Sequence, residues 1–338
     1  MNILVAGGAG YIGTHTCVEL INAGHNVICA DNLLNSKYEA VKRVEKITGK
    51  EIKFYKVDLT DYEASRVVFE ENHIDGVIHF AGLKCVPESI SVPLKYYQNN
   101  IDSVFVVLNL MKEFGVKNFV FSSSATVYGD PKELPITEES EVGGTTNPYG
   151  TTKYFIERIL MDVCKADDEF NVAILRYFNP VGAHPSGLIG EDPNGIPNNL
   201  VPYVTQVAIG KRPYLNVNGN DYDTLDGTGV RDYIHICDLA YGHVLALNKL
   251  TTNCGLVIYN LGTGRGNSVL EVVKAFDKAV GTPIPYKIAP RRPGDIASCY
   301  ADPTKAKLEL GFEAKYNIDD MARDAWNWQK NNPNGYGE

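Results

Sequence analysis

Tyr149 and Lys153 stand four residues apart, directly behind Asn147-Pro148. Asn is a favoured helix N-cap and Pro suits the first helical position. A helix starting there puts both side chains on one face, one turn apart. A phenol loses its proton near pH 10, so a phenolate base at pH 7 needs about 3 pKa units, roughly 4 kcal/mol, of stabilisation. A neighbouring ammonium supplies part of that, and a positively charged nicotinamide supplies more. Such a tyrosine can take the proton of a carbinol while a dinucleotide takes the hydride. Tyr–Lys pairs are also common on plain helix surfaces, so the surroundings must decide. Ser122-Ser123-Ser124 follows a predicted strand, at the end of the sheet where ligands sit in doubly wound folds. Ser124 can hydrogen-bond a sugar hydroxyl, although serines at strand ends also serve as caps.

The hydride acceptor has its own pattern. Gly7, Gly10 and Gly13 form GGAGYIG between an apolar run and a helical stretch. Glycines there permit a tight turn and close approach of a pyrophosphate, and the helix N-terminus offers free N–H groups. An ordinary glycine turn is the rival reading. The next predicted strand ends in Asp31, eighteen residues past Gly13. A carboxylate there accepts from both adenosine ribose hydroxyls and repels a 2′-phosphate, favouring NAD over NADP. Asp58 fits two roles equally, a contact to the adenine edge or the N-cap of a helix starting near Asp61. Phe80-Ala81-Gly82 ends a further strand with small residues that leave room for a cofactor.

These residues need a frame. Apolar runs at 2–7, 26–31, 53–58, 76–81, 118–123 and 171–178 read as buried parallel strands. Helical patterns near 11–23, 36–48, 61–72 and 93–114 separate the first five, and the Tyr149 helix precedes the sixth. The expected class is α/β, a Rossmann-type doubly wound parallel sheet with a smaller mixed C-terminal substrate lobe. The expected division is 1–180 for the dinucleotide and 181–338 for the substrate, with some chain returning to the first domain. Residues 184–199 are rich in Pro, Gly and Asn and read as loop; helical patterns recur near 268–280 and 318–330.

The chain has 338 residues, 44% of them hydrophobic, and a net charge of −9. No basic run suggests nucleic acid, so an anionic substrate must meet local positive groups. The seven cysteines are odd in number and form no CxxC pair, which excludes a disulfide framework and a zinc site. With no signal peptide and no membrane-length apolar run, the expected location is the cytoplasm.

At GGAGYIG (7–13), DNL (31–33), HFAGLK (79–84), SSSATVYG (122–129), PYGTTK (148–153), RYFNPVGAHPSG (176–187), GIPNNL (195–200), GTGVRDYIH (227–235) and RRPGD (291–295), the chain resembles the extended short-chain dehydrogenase/reductase superfamily. Within it, the likeness to the UDP-hexose 4-epimerases runs essentially end to end. The resemblance implies bound NAD, a UDP-sugar substrate, interconversion of UDP-galactose and UDP-glucose through a 4-keto sugar, and a homodimer. It gives Ser124, Tyr149 and Lys153 the catalytic roles. Tyr11, Ile12, Asp31, Asn32, Asn35, Ser36, Asp58, Leu59, Phe80, Ala81, Gly82, Lys84, Asn99 and Phe178 would join the glycines around NAD. Lys84, Asn179, Asn198, Asn199, Leu200, Asn216, Arg231, Arg292, Asp295 and Cys299 would meet the UDP-sugar. Arg231 and Arg292 are the local guanidinium groups that a diphosphate requires. The family position of Cys299 is bulky in enzymes restricted to UDP-hexoses and small in those that also take N-acetylhexosamines.

Three rivals stand beside this reading. A nucleotide-sugar dehydratase or decarboxylase would share the fold, but relatives that expel water place a carboxylate where Ala125 and Thr126 stand here. A non-enzymatic NAD sensor typically lacks the Tyr–Lys pair. A dehydrogenase that releases NADH is distinguished only by turnover. For the dimer, Val104, Leu108 and Met111, with Val107 beside them, and Phe155, Ile159 and Val163 recur at helical spacing and could build a four-helix bundle. The alternative is that both stripes pack on the subunit's own sheet.

Overall fold

The computed structural model describes residues 1–292 and 294–337. The first half alternates β1 (Asn2–Ala6), α1 (Tyr11–Asn22), β2 (Asn26–Asp31), α2 (Tyr38–Thr48), β3 (Lys53–Lys56), α3 (Tyr62–Glu70), β4 (Gly76–His79), α4 (Val86–Ser91), α5 (Pro93–Phe114), β5 (Asn118–Ser124), α6 (Pro148–Ala166) and β6 (Asn171–Tyr177). The second half runs through β7 (Asn179–Val181), α7 (Leu200–Ala208), β8 (Leu215–Asn218), β9 (Val230–His235), α8 (Ile236–Leu250), β10 (Leu256–Leu261), β11 (Gly266–Ser268), α9 (Val269–Val280), β12 (Tyr286–Ala289), β13 (Ser298–Cys299), α10 (Thr304–Leu310) and α11 (Ile318–Asn331). Pro293, inside the RRPGD motif, and Glu338 lie outside the described residues.

Seven strands form one parallel sheet in the order β10-β6-β5-β4-β1-β2-β3. The continuous burial of β4 and β6 matches strands covered on both faces. One face packs α1, α2 and α8 through Val18, Leu20, Val41, Val44, Val244 and Leu247. The other packs α3, α5 and α6 through Val68, Val107, Leu110, Ile156 and Leu160. Strand order reverses between β1 and β4, which opens a crevice at their carboxyl ends. The sequence predicted six of these strands. The seventh, β10, comes from the second half, as does α8, which lies against α1.

The second lobe has its own core, in which Val201 and Val204 of α7, Val272 and Phe276 of α9 and Met321 and Ala325 of α11 meet. Its β9 pairs with β7, β11 and β13, and β12 pairs with β8. Among the described residues no helix is long and apolar enough to cross a membrane.

One expected stripe is overturned. Val104, Val107 and Met111 are fully buried against the subunit's own sheet. The free face of α5 instead carries Leu94, 80% exposed, and Phe105, 44% exposed. Helix α5 is apolar on more than one side, so spacing alone could not choose the face. On α6, Phe155 is exposed and Ile159 and Val163 are half-buried.

Helix α6 is fixed to the sheet by a buried ion pair. Arg176 of β6 donates from Nε to Glu157 Oε1 at 3.0 Å and from Nη2 to Oε2 at 2.7 Å, and the two side chains are 2% and 1% exposed. Ser123 adds a bond to Glu157 Oε1 at 2.5 Å, and Arg176 Nη1 donates to Tyr128 Oη at 3.0 Å. Removing one partner leaves a buried charge unpaired, which costs roughly 3–5 kcal/mol. Glu157→Ala should therefore lower unfolding stability by about that amount in a urea titration; a loss below about 1 kcal/mol would contradict this account of α6.

Candidate active site

The loop after β1 is shaped by contact. Gly7 has φ of +77°, and a Cβ on it would meet the Ala81 nitrogen at 2.7 Å; one on Gly13 would meet the Gly7 oxygen at 2.5 Å. The protein itself fills those positions. A Cβ on Gly10 would meet only the Gly7 oxygen, at 3.4 Å, so this side of the loop stays open. Gly10 caps α1 without a side-chain bond, and the first intrahelical bond runs from Thr14 N to Gly10 O at 2.9 Å. The amides of Tyr11, Ile12 and Gly13 precede it, a donor set suited to a pyrophosphate.

Asp31 closes the floor. It is 7% exposed and accepts from Ala9 N at 3.1 Å, Leu33 N at 2.8 Å and Ser36 Oγ at 2.7 Å. Ser36 thus holds Asp31, while Asn35 stands exposed at the loop tip. Asp58 is exposed and accepts from Asn32 Nδ2 at 3.2 Å and from Thr60 N and Oγ1 at 3.0 and 2.8 Å. Partial burial pushes its carboxyl up, but these bonds carry it below the usual range. Asp61, not Asp58, caps α3 through Ala64 N at 3.0 Å, so the helix-cap alternative for Asp58 falls. Leu59 is buried in the core below. These features fit a dinucleotide with a free ribose.

The loop after β4 is tied to α6 by Asn100, which sequence reasoning missed. Its Oδ1 accepts from Leu83 N at 2.7 Å and Asn99 Nδ2 at 3.1 Å, and its Nδ2 donates to Leu83 O at 3.0 Å and Thr152 Oγ1 at 3.1 Å. The Phe80 ring meets that of His243 at a 57° tilt, ring centres 4.9 Å apart.

At the carboxyl end of β5, Ser124 caps a short 3-10 turn through Thr126 N at 3.2 Å. Asn147 caps α6 through Gly150 N at 2.9 Å. Lys153, 6% exposed, donates to Ser122 O at 2.6 Å, with its ammonium 4.8 Å from the Phe121 ring centre and 5.9 Å from that of Tyr149. Burial draws Lys153 down to about 8 against the pull of Glu157. Burial raises the Tyr149 phenol, and the Ser124 hydroxyl acts in the opposite sense. The protein alone therefore keeps Tyr149 protonated at neutral pH.

The second lobe meets this crest at several points. Tyr11 donates to Gly182 O at 2.7 Å. Asn179 is exposed at the start of β7, and Phe178 is buried with Val127, Tyr128 and Ala301 in a cluster against which Ala125 and Cys299 pack. Cys299 pairs in register with Arg231, and burial raises its thiol to about 11. Arg231 donates to Val230 O at 2.8 Å, and exposed Arg292 pairs with Asp295 at 3.1 Å. Asn198 donates to Cys85 Sγ at 3.0 Å. Asn199 precedes Leu200 at the start of α7, and Asn216 is exposed on β8. No hydrogen bond of Asn216 ties it to the other expected residues in the described structure.

A doubly wound sheet, a glycine loop at its switch point and a Tyr–Lys pair on the adjoining crest define an extended short-chain dehydrogenase/reductase. Residues 4–325 match the family model described as GDP-mannose 4,6 dehydratase. The chain is 62% identical over 336 residues to the UDP-glucose 4-epimerase of Bacillus subtilis (strain 168), covering 99% of each. It resembles the crystal structure of UDP-glucose 4-epimerase from Bifidobacterium longum in complex with NAD+ and UDP, at a TM-score of 0.95 and 59% identity, covering 99% of this chain and 100% of that one. A more distant likeness is the UDP-Glc/GlcNAc 4-epimerase from Campylobacter jejuni, at a TM-score of 0.85 and 35% identity, covering 98% and 99%. The chain belongs to the UDP-glucose 4-epimerase family.

Lys153 sets an expectation for pH. The ammonium that would steady a Tyr149 phenolate is lost as pH rises through about 8. The profile of kcat/KM for the family reaction should therefore fall above about pH 8, and Lys153→Met should lose that limb along with most activity. A wild-type profile flat to pH 10 would contradict the assignment.

Proposed function

We propose that this chain interconverts UDP-galactose and UDP-glucose by reversible oxidation at C4 of the hexose, through a 4-keto sugar. The observation that carries this reading is the convergence of Ser124, Tyr149 and Lys153 on the same crest as the glycine loop. Residues 1–180 would carry NAD and 181–338 the UDP-sugar. NAD, when bound over Gly7–Gly13 and Asp31, supplies the acceptor and later the donor of hydride, together with positive charge beside Tyr149. Tyr149 takes the proton from the C4 hydroxyl and returns it after the ketone has turned in the site. Ser124 holds that oxygen by a hydrogen bond. Lys153, fixed by Ser122 O, offsets the phenolate charge. Arg231 and Arg292 pair with the diphosphate, and Asn179 and Asn199 offer both donors and acceptors.

Several features support this against the alternatives. The dehydratase reading meets Ala125 and Thr126 in the turn after Ser124, neither of which can supply an acid to expel water. The curated relatives at 62% identity are epimerases. Leu94 and Phe105 are exposed on α5 and Phe155 on α6, with the Tyr97 and Phe155 rings 6.0 Å apart across the two helices; exposed apolar side chains on neighbouring helices suit a homodimer. A monomeric mass by light scattering at micromolar protein would refute the dimer.

Tyr149→Phe should lower turnover by about 10²–10⁴, the usual span for a positioned acid/base, and leave the NAD released on denaturation unchanged. Near wild-type turnover in that variant would sink the assignment.

The cluster of Phe178, Ala125 and Cys299 sits beside Ser124, and a thiol there occupies far less space than a phenol. We infer that the pocket also admits a 2-acetamido group. The named substrates of the Campylobacter jejuni relative agree with that breadth. Cys299→Tyr should abolish UDP-GalNAc turnover and spare UDP-galactose, because overlap in a packed pocket costs kilocalories. Wild-type protein that turns over UDP-galactose but not UDP-GalNAc would overturn this.

A further inference from the structure

We propose that Arg43 is a positioning residue for cofactor retention: it pins two segments of the second half against the loop that holds Asp31, and so slows the escape of NAD. The proposal rests on the reading that NAD sits over Gly7–Gly13 and Asp31. Arg43 lies on α2, behind the loop of residues 32–37 that follows Asp31, and neither motif nor spacing singled it out. That loop closes over the carboxylate. Ser36 Oγ and Leu33 N donate to Asp31 Oδ1 at 2.7 and 2.8 Å, and Asp31 is only 7% exposed. Exchange of a ribose at Asp31 therefore requires the loop to move.

The loop does not rest in that shape by itself. Leu33 has φ of +61°, in the left-handed region that a bulky side chain rarely adopts and keeps only under restraint from its surroundings. Leu34 and Asn35 stand exposed at its tip. The restraint comes from the second half of the chain. Asn194 Nδ2 donates to Leu34 O at 3.3 Å. Lys37 Nζ, at the end of the loop, donates to Gly337 O at 2.6 Å and pairs with Asp192 at 3.5 Å. Asp192 also accepts from Tyr336 N at 3.0 Å, so the two restraining segments hold each other.

Arg43 does not touch the loop. It fixes the segments that do. Its Nη1 donates to Leu188 O at 3.1 Å and to Asn332 Oδ1 at 2.6 Å, while its Nε donates to Glu39 Oε1 at 3.0 Å. The guanidinium also lies 5.7 Å from the Trp328 ring centre and 5.1 Å from that of Tyr336, within reach of cation–π attraction. With the side chain 19% exposed, these contacts are screened less than those of a surface pair. One residue of the dinucleotide half thus grips both the 188–194 segment and the C-terminal segment. Escape of NAD passes through a local opening of this region. A hydrogen bond to a charged group shifts such an opening by roughly 10- to 100-fold.

The test follows NAD on wild-type, Arg43→Ala and Asn332→Ala protein, each purified as holoenzyme. Samples are diluted into NAD-free buffer with an NAD-consuming dehydrogenase as trap. The NAD still bound is released by denaturation at intervals and measured. The Arg43→Ala variant should lose NAD about tenfold faster or more. Asn332→Ala, which removes the acceptor at 2.6 Å, should move in the same direction and decides the matter if Arg43→Ala does not fold. With NAD in excess, kcat and KM for UDP-galactose should stay near wild type in both variants, a result that general damage to the fold would not give. Release at the wild-type rate, or a loss of kcat that excess NAD does not restore, overturns the proposal. Wild-type protein that yields no NAD on denaturation sinks the cofactor reading itself, whereas NAD that is present and leaves the variants at the wild-type rate sinks only the role of Arg43.

Discussion

The Glu157–Arg176 pair sets the frame on which the site depends. Two charges in a core cost several kcal/mol each unless their bonds are nearly complete. Here both carboxylate oxygens and three guanidinium nitrogens find partners. That requirement admits one placement of α6 on β5 and β6. Lys153 lies one turn before Glu157 and Tyr149 one turn before Lys153, so the placement also sets the phenol against Ser124. The network extends through Tyr128 to Asn260 of β10 at 2.6 Å, and Asn260 donates to Ile136 O at 2.9 Å. A single polar chain thus links α6, the turn after Ser124 and β10.

The crevice between β1 and β4 is governed by a second constraint, close contact between loops. Gly7 lies against Ala81, and Asn100 fastens the β4 loop to Thr152. Tyr11 reaches across to Gly182. The glycine loop, α6 and the second lobe are therefore braced on one another through these loops. Precise placement of this kind is what acid/base chemistry needs, because errors near 1 Å cost orders of magnitude in rate.

The legible parts of this molecule were local in sequence. Apolar runs revealed β1 through β6, and the Asn147-Pro148 start revealed α6. Gly7–Gly13 and Asp31 could be read because their spacing follows from one turn and one βαβ unit. β10 was missed; its apolar run, LVIYNL, is interrupted one residue before its end by Asn260, which serves the buried network. α5 offered apolar residues on more than one face, and only packing showed that Val104, Val107 and Met111 turn inward. Asn100 and Glu157 act through partners far away in the chain, a relation that no spacing records. Residues such as Asn179 and Arg231 were proposed as ligand contacts only through the end-to-end likeness to a family, because their residue types alone also suit turns and surfaces.

The outermost strand of the main sheet arrives late in the chain. β6 ends at Tyr177 and its neighbour β10 begins at Leu256, so on a ribosome adding about 5–20 residues per second β6 keeps a bare edge for roughly 4–16 s. During that interval its seven buried-type residues present open backbone hydrogen bonds to any strand nearby. The side chain of Asn260, which completes the polar chain at Tyr128, is missing for the same period. Nascent protein thus passes through a stage in which the dinucleotide half is largely built yet still able to pair with the wrong strand. Chaperone demand during synthesis would fall on that stage.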